Sequence, residues 1–298
     1  MSIDIREYLH TKRKIVEKRL NSVFDDMDDP SGILDAMRYS LMAGGKRLRP
    51  ILCIAAAEAV GGSGDAVMPA ACALELIHTY SLVHDDLPAM DNDDLRRGKA
   101  TNHKVYGEAT AILAGDGLLT AAFEIMTHPK DLDDSTDPAL WITAVHLIAR
   151  AAGYAGMISG QVLDIDSEGK DIALTELERL HRLKTGALIE VSVRCGAILG
   201  GGIDNEIKAL SEYGKTIGLA FQVYDDILNI EGSEERMGKK TGTDLIRRKA
   251  TYPLLLGMNK AKQKGENLTA NALRTLTIFG NKGEPLRALA RYVAERTR

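Results

Sequence analysis

Apolar residues recur at helical spacing along almost the whole chain. The clearest stretch is "TELERLHRLKTGALIEVSVRCGAIL". There Leu177, Leu180 and Leu183 mark one stripe, continued by Leu188, Val191 and Cys195. Thr175 and Glu178 stand at capping-box spacing at its start, and Gly200, Gly201 and Gly202 end it. The same periodicity predicts helices over roughly 3–20, 31–43, 47–60, 66–86, 105–127, 138–154, 204–230, 243–263 and 284–297. No run alternates convincingly enough to predict a strand. The breaks are glycine-rich, as in "AGGKRLRP", "GGSGD", "LGGGID" and "NKGEP", and no Pro- or Ser-rich linker divides the chain. The pattern predicts one all-α domain spanning residues 1–298.

Two of these helices end in acid. "SLVHDDLPAM" and "AFQVYDDILN" each place adjacent aspartates at the end of an apolar run, and the first continues into Asp91, Asp93 and Asp94. Clustered like charges repel unless something is bound between them. Neither segment has the alternating ligands and central glycine of an EF-hand, whereas aspartates on hard-oxygen duty suit Mg²⁺ or Mn²⁺. Asp225 and Asn229 lie one helical turn apart and share a face. Asp85 and Asp91 would not share one on an unbroken helix. Pro88 between them removes a backbone donor, so the chain is expected to break there and bring Asp91 back beside Asp85. His84 reads as a cap or a support for Asp85 rather than a general base. His78 lies two turns before Asp85 on the same face, where a core histidine is the ordinary reading.

Cations are clustered too. "GGKRLRP" supplies Lys46, Arg47 and Arg49, and "LRRG" supplies Arg96 and Arg97. "KTG" supplies Lys184 with Thr185, and the segments "GKKTGTD" and "RRKATYP" supply Lys239, Lys240 and Lys249. Each group alone is ordinary surface charge. Arginine forks and lysine ammonium groups beside metal-binding carboxylates together describe a clamp for a diphosphate.

Composition narrows the picture further. Hydrophobic residues make up 45% of the chain and aromatics 5%, which supports a sizeable helical core. A net charge of −4 argues against nucleic-acid binding, so affinity for an anion must be local. Cys53, Cys72 and Cys195 sit among apolar or small neighbours with no metal-like spacing, as buried thiols in a reducing cytoplasm would. The N-terminal "MSIDIREYLHTKRKIVEKRL" has no uninterrupted apolar core of the signal-peptide kind. The apolar run "ILCIAAAEAV" is too short to span a bilayer. The expectation is a cytoplasmic protein without a membrane span.

The segments "YSLMAGGKRLRPIL", "HTYSLVHDDLPAMDNDDLRRGKATNH", "LAGDGLL", "KTG", "FQVYDDILN", "GKKTGTD" and "KATYPLLLG" carry a resemblance. In order and spacing the chain resembles the trans-isoprenyl diphosphate synthases, the polyprenyl synthetase family, along nearly its whole length. It is most similar to short-chain bacterial members of the farnesyl type. The resemblance implies a helical bundle around a deep central cavity, usually in a homodimer. It implies Mg²⁺-dependent head-to-tail prenyl transfer, with two or three ions and Mn²⁺ as a substitute. Asp85, Asp86, Asp91 and Asp225 correspond to metal ligands, with Asp226 beside the last. Arg96, Lys184, Lys239 and Lys249 correspond to ligands of an allylic diphosphate, and Lys46, Arg49, His78 and Arg97 to ligands of isopentenyl diphosphate. Lys184, Thr185 and Gln222 correspond to groups around the reacting carbons. In short-chain members a bulky residue at the Tyr80 position, near Ser81 about one turn or 5.4 Å below Asp85, blocks further growth. That implies a C15 product. The family's second motif ends in Asp where this chain has Asn229, which removes one charge from that side. Alternatives are a geranylgeranyl or other longer-chain synthase, a terpene cyclase, and a non-catalytic regulatory subunit that keeps the fold.

Overall fold

The computed structural model describes residues 3–25, 29–128, 137–231 and 249–295. Helix α1 (Ile5–Ser22) starts where the Asp4 carboxylate accepts the Arg6 and Glu7 N–H groups at 2.9 and 3.2 Å, satisfying donors that a helix start leaves open. Next come α2 (Ile33–Leu41), α3 (Leu48–Val60) and α4 (Met68–Asp85). A tight turn at Arg97 (φ 55°) and Gly98 (φ 78°) joins the two-residue strands β1 (Leu95–Arg96) and β2 (Lys99–Ala100), which pair antiparallel. The chain continues through α5 (Asn102–Tyr106), α6 (Glu108–Thr127), α7 (Pro138–Ala152), α8 (Met157–Ser167) and α9 (Leu174–His181). A π turn (Arg182–Gly186) leads into α10 (Ala187–Leu199) and the long α11 (Asp204–Glu231). Last come α12 (Tyr252–Leu256), α13 (Met258–Thr275), a 3₁₀ segment (Thr277–Gly283) and α14 (Glu284–Glu295).

Helix α4 is buried nearly all round, as a helix apolar on every face must be. It packs on α6 and α3, and with α2 and α7 these form one part of the core. The other part gathers α3, α11, α13 and α14. Helix α10 joins the two: Leu188, Val191 and Cys195 face the first, and Ile189, Val193 and Ala197 the second. Close approach of α10 to α3 needs Gly196, since a Cβ there would lie 2.0 Å from the Cys53 carbonyl oxygen. The bundle is all-α apart from the small ladder, and all three cysteines are buried and unbridged.

Several sequence-based boundaries move. The helix expected over 105–127 is two helices divided at Gly107 (φ 85°). Glu176, whose carboxylate accepts the Ala173 N–H at 2.9 Å, closes the start of α9, so Thr175 lies inside the first turn and is not the cap. No helix is expected from the sequence where α8 forms: Ile158, Val162 and Ile165 stand at helical spacing, but the helix is short and Gly153, Gly156 and Gly160 punctuate the segment. Residues 232–248, including the start of the helix expected over 243–263, lie outside the described residues. Beyond them that expectation is replaced by α12 and by α13, which runs on to Thr275. Its buried stripe is made of small residues, Ala261, Gly265, Thr269 and Ala272, which carry little hydrophobic signal. Helix α6, with mean hydropathy 1.4, is longer than the apolar run "ILCIAAAEAV", and by length and composition alone it could cross a bilayer. Here one face packs on α4 through Ala111, Ala114, Gly115 and Leu118, while the other exposes Ile112 and Leu113.

Candidate active site

Helix α4 ends at Asp85, and the chain turns back on itself through Leu87 and Met90. The Asp91 N–H then donates to the Asp85 carbonyl at 2.8 Å, so the break near Pro88 brings the two aspartates together as expected. Burial pushes the Asp85 carboxyl up to about 6; Asp91 and Asp86 add to this, while Lys184 and Arg96 oppose it. A carboxyl in that state gains most from a nearby cation. Asp86 faces elsewhere. It is 3% exposed, and Arg96 Nε donates to both its oxygens at 3.0 and 3.3 Å, with an Nη donor on the same carboxylate. Arg96 also pairs with Asp93 at 3.2 Å. Sequence assigned Asp86 to an ion and Arg96 to a diphosphate; the structure pairs them with each other. His84 does not support Asp85: its Nε2–H donates to the Ile112 carbonyl of α6 at 3.0 Å, over Gly115, where a Cβ would lie 2.1 Å from Nε2.

Two lysines meet on one carboxylate. The π turn carries Lys184 and Thr185, both half-buried. Such a turn widens the helix, and π turns collect at functional sites. Helix α8 lies hard against it, because Gly160 presents no Cβ; one would stand 2.1 Å from the Lys184 backbone nitrogen. One turn further along α8, Asp164 Oδ2 accepts from Lys184 Nζ and from Lys249 Nζ, each at 2.7 Å. Lys249 also reaches Glu168 at 3.4 Å and Asp91 at 3.9 Å. Burial pushes the Asp164 carboxyl up, but the two lysines outweigh it and hold it at about 2. The sequence reading missed Asp164. Its signal was an acid one turn after Gly160, in a short glycine-punctuated segment whose Ile158, Val162 and Ile165 keep helical spacing.

The second acidic pair divides its work. Asp226 is buried and accepts the Tyr252 N–H at 2.9 Å, with His181 Nε2 at 3.7 Å and the His181 ring stacked on Tyr252 at 5.5 Å. Asp226 therefore anchors the segment that carries Lys249. Lys249 reaches Asp91 of the first motif, and Tyr252, three residues on, is held by the second. Three residue steps span at most roughly 11 Å, so the two motifs border one region. Asp225 and Gln222 are half-buried on α11, and Asn229 is 2% exposed with its Oδ1 unpartnered among the described residues. Lys239 and Lys240 lie outside the described residues.

The remaining cations gather at the start of α3. Arg47 adopts a left-handed backbone (φ 50°), buries its side chain, and donates to Glu75 Oε1 and the Leu41 carbonyl, both at 2.7 Å. That fixes the start of α3, with Lys46 just before the cap and exposed, and Arg49 in the first turn, half-buried with an Nε that has no partner among the described residues. The Arg97 guanidinium lies on Gly45 and donates to the Gly44 carbonyl; a Cβ on Gly45 would lie 2.5 Å from Arg97 Cζ. Burial lowers Arg49 to about 10, Arg97 adds to this, and Glu75 opposes it. Burial, then Arg49, Arg97, Arg96 and Arg47, hold the His78 imidazole far below its usual range and therefore neutral at pH 7. Arg49, its Nε unpartnered among the described residues, beside a neutral imidazole suits an anion. Beside it a small cleft is lined by Tyr39, Thr79, Asp86, Arg96, Arg97 and Lys99, among others.

Among the described residues no three His, Cys, Asp or Glu side chains converge as a ready-made metal cage. Mg²⁺ asks for less: one or two carboxylates, several waters and phosphate oxygens. The Asp85–Asp91 pair and the unpartnered Asn229 oxygen fit such an ion. Tyr80, the expected floor, is 7% exposed and meets His84 edge-on at 5.7 Å. Burial and Asp85 push its hydroxyl up to about 12. The Ser81 hydroxyl turns back to the His78 carbonyl at 2.9 Å.

Against known proteins, residues 30–278 match the family model described as polyprenyl synthetase. The chain is 50% identical to heterodimeric geranylgeranyl pyrophosphate synthase large subunit 1 (chloroplastic) of Arabidopsis thaliana, covering 99% of this chain and 80% of that one. It is 46% identical to a farnesyl diphosphate synthase of Geobacillus stearothermophilus, covering 99% and 98%. Among solved structures, an FPP/GFPP synthase from Zymomonas mobilis superposes with a TM-score of 0.86 at 35% identity, covering 99% of this chain and all of that one.

Proposed function

The chain belongs to the polyprenyl synthetase family, and from that premise we propose that it makes farnesyl diphosphate. The trans-prenyl transfer itself follows from the family. The finer reading is condensation of isopentenyl diphosphate with dimethylallyl diphosphate and then geranyl diphosphate, with Mg²⁺, stopping at fifteen carbons. The observation that carries the stop is Tyr80, a bulky ring buried on α4 just below Asp85.

Breaking the allylic carbon–oxygen bond leaves charge on the departing diphosphate. Lys184, Lys249 and Arg96 would meet that charge, and fixed cations in a dry site act more strongly than in water. Divalent ions held by Asp85, Asp91 and Asp225 would neutralise the rest of it. Lys46, Arg49, Arg97 and neutral His78 would hold the second diphosphate. Thr185 and Gln222 would offer oxygens toward the developing cation, and the apolar surroundings exclude the water that would trap it. We further propose that two copies pair through exposed apolar side chains, those of α8 together with Leu113 of α6 and Ile142 of α7.

A second reading has its own support, because a relative named for a geranylgeranyl product is as similar as one named for farnesyl. Incubating the purified protein with isopentenyl diphosphate, each allylic starter and Mg²⁺, then chromatographing the dephosphorylated products, separates the two. Farnesol is expected, and Tyr80→Ala should shift the product to longer chains. Geranylgeraniol from the unaltered protein, or an unchanged product from Tyr80→Ala, removes Tyr80 from the account. No prenyl product at all would favour a regulatory subunit.

A further inference from the structure

The contact that stands out beyond these roles is Asp164. A single oxygen of this carboxylate takes both the Lys184 and the Lys249 ammonium group at 2.7 Å, so the two nitrogens are no further apart than twice that distance. The lysines come from separate elements, the π turn and the segment before α12, and repel one another. All three side chains are largely enclosed: 13% exposed for Asp164, 24% for Lys184 and 15% for Lys249. Glu168 and Asp91 border Lys249 on other sides, so Asp164 is the group common to both cations. An ammonium has three donors. Asp164 occupies one on each lysine and leaves the others directed away from it.

We propose that Asp164 is a positioning residue for the diphosphate site: its buried Oδ2 holds the Lys184 and Lys249 ammonium groups side by side, so that the leaving diphosphate meets two cations already aligned. The proposal rests on reading this cluster as a diphosphate site. It runs against simple charge counting. Removing an acid from a cationic site should strengthen anion binding, whereas removing the brace that aligns two cations should weaken it, since small misplacements of catalytic groups are costly. Gly160 serves the same arrangement, because only a glycine there lets α8 bring Asp164 within reach of Lys184.

The test is calorimetric binding of inorganic pyrophosphate with Mg²⁺ to the intact protein and to Asp164→Asn, together with Michaelis constants for both substrates and melting temperatures. The variant is expected to bind pyrophosphate about tenfold more weakly or worse. Its Michaelis constant for geranyl diphosphate should rise, while that for isopentenyl diphosphate stays within about twofold. Equal or tighter pyrophosphate binding by Asp164→Asn overturns the proposal, and so does a parallel rise of both constants with a large fall in melting temperature. If Asp164→Asn does not fold, Asp164→Glu takes its place; it keeps the charge and moves the oxygen, so weaker binding supports positioning and unchanged binding overturns it. Failure of the unaltered protein to bind pyrophosphate overturns the diphosphate reading itself, and the proposal with it.

Discussion

Side chain by side chain, the site is organised by partners that a list of motifs does not show. Asp85 and Asp91 were legible because proline between two acids forces a break, and the backbone bond between them closes it. The basic residues were legible as clusters, but their division of labour was not. Arg47 looked like one more anion ligand; buried against Glu75, it is instead the peg that fixes the start of α3 between Lys46 and Arg49. The signal was available, since Glu75 is a lone charge in the apolar run "AACALELIHTY" and a buried charge demands a partner. Removing that partner leaves the buried guanidinium with only the Leu41 carbonyl and the more distant Glu17, 3.6 Å from Nε. Glu75→Ala is therefore expected to cost about 3–5 kcal/mol, measured by denaturant unfolding. A loss under roughly 1 kcal/mol, the scale of a surface pair, would mean that Arg47 finds water instead. His84, read as a support for Asp85, was misplaced because sequence distance says nothing about which neighbouring helix a ring reaches.

Among elements, legibility followed the strength of the apolar stripe. Helices α3, α4, α10 and α11 carry large buried residues and stood where the periodicity put them. Helices α8 and α13 did not, the first because it is short and punctuated by glycines and the second because its buried residues are small. The cost of missing α8 was functional, since that helix brings Asp164 to the lysines. Its contact with the π turn makes a prediction whose sign is informative. Within a helix, replacing Gly by Ala ordinarily stabilises by up to about 1 kcal/mol. Gly160→Ala should instead destabilise by about 1–3 kcal/mol, because the new methyl would sit 2.1 Å from the Lys184 nitrogen and the turn must move. Urea unfolding measures it, and a gain in stability would show that the packing of α8 yields freely.

For the molecule as a whole, one bundle brings together two motifs far apart in sequence by returning the chain past both. The segment from Lys249 to Tyr252 touches the first motif at one end and the second at the other. That closure was not legible; it depends on tertiary packing of α11 against α12 and α13. The outward stripe of α8 is the corresponding surface feature, with Ile158, Val162 and Ile165 at 46%, 52% and 44% exposure on one helical face. Sedimentation should find a dimer for the unaltered chain and a monomer for Val162→Lys, with the melting curve of the monomer otherwise similar to that of a folded bundle. A monomeric unaltered chain would remove the proposed pairing.

The central claim is that the ends of α4 and α11 hold a diphosphate between them through divalent ions. The most direct measurement is anomalous scattering from crystals grown with Mn²⁺ and a non-cleavable allylic thiodiphosphate. Ion peaks bonded to Asp85 and Asp91 on one side and to Asp225 on the other are expected, with the diphosphate between them and Lys184 and Lys249 against it. Peaks confined to outer surface carboxylates, with Asp225 turned to bulk solvent and no diphosphate beside Asp85, would contradict it.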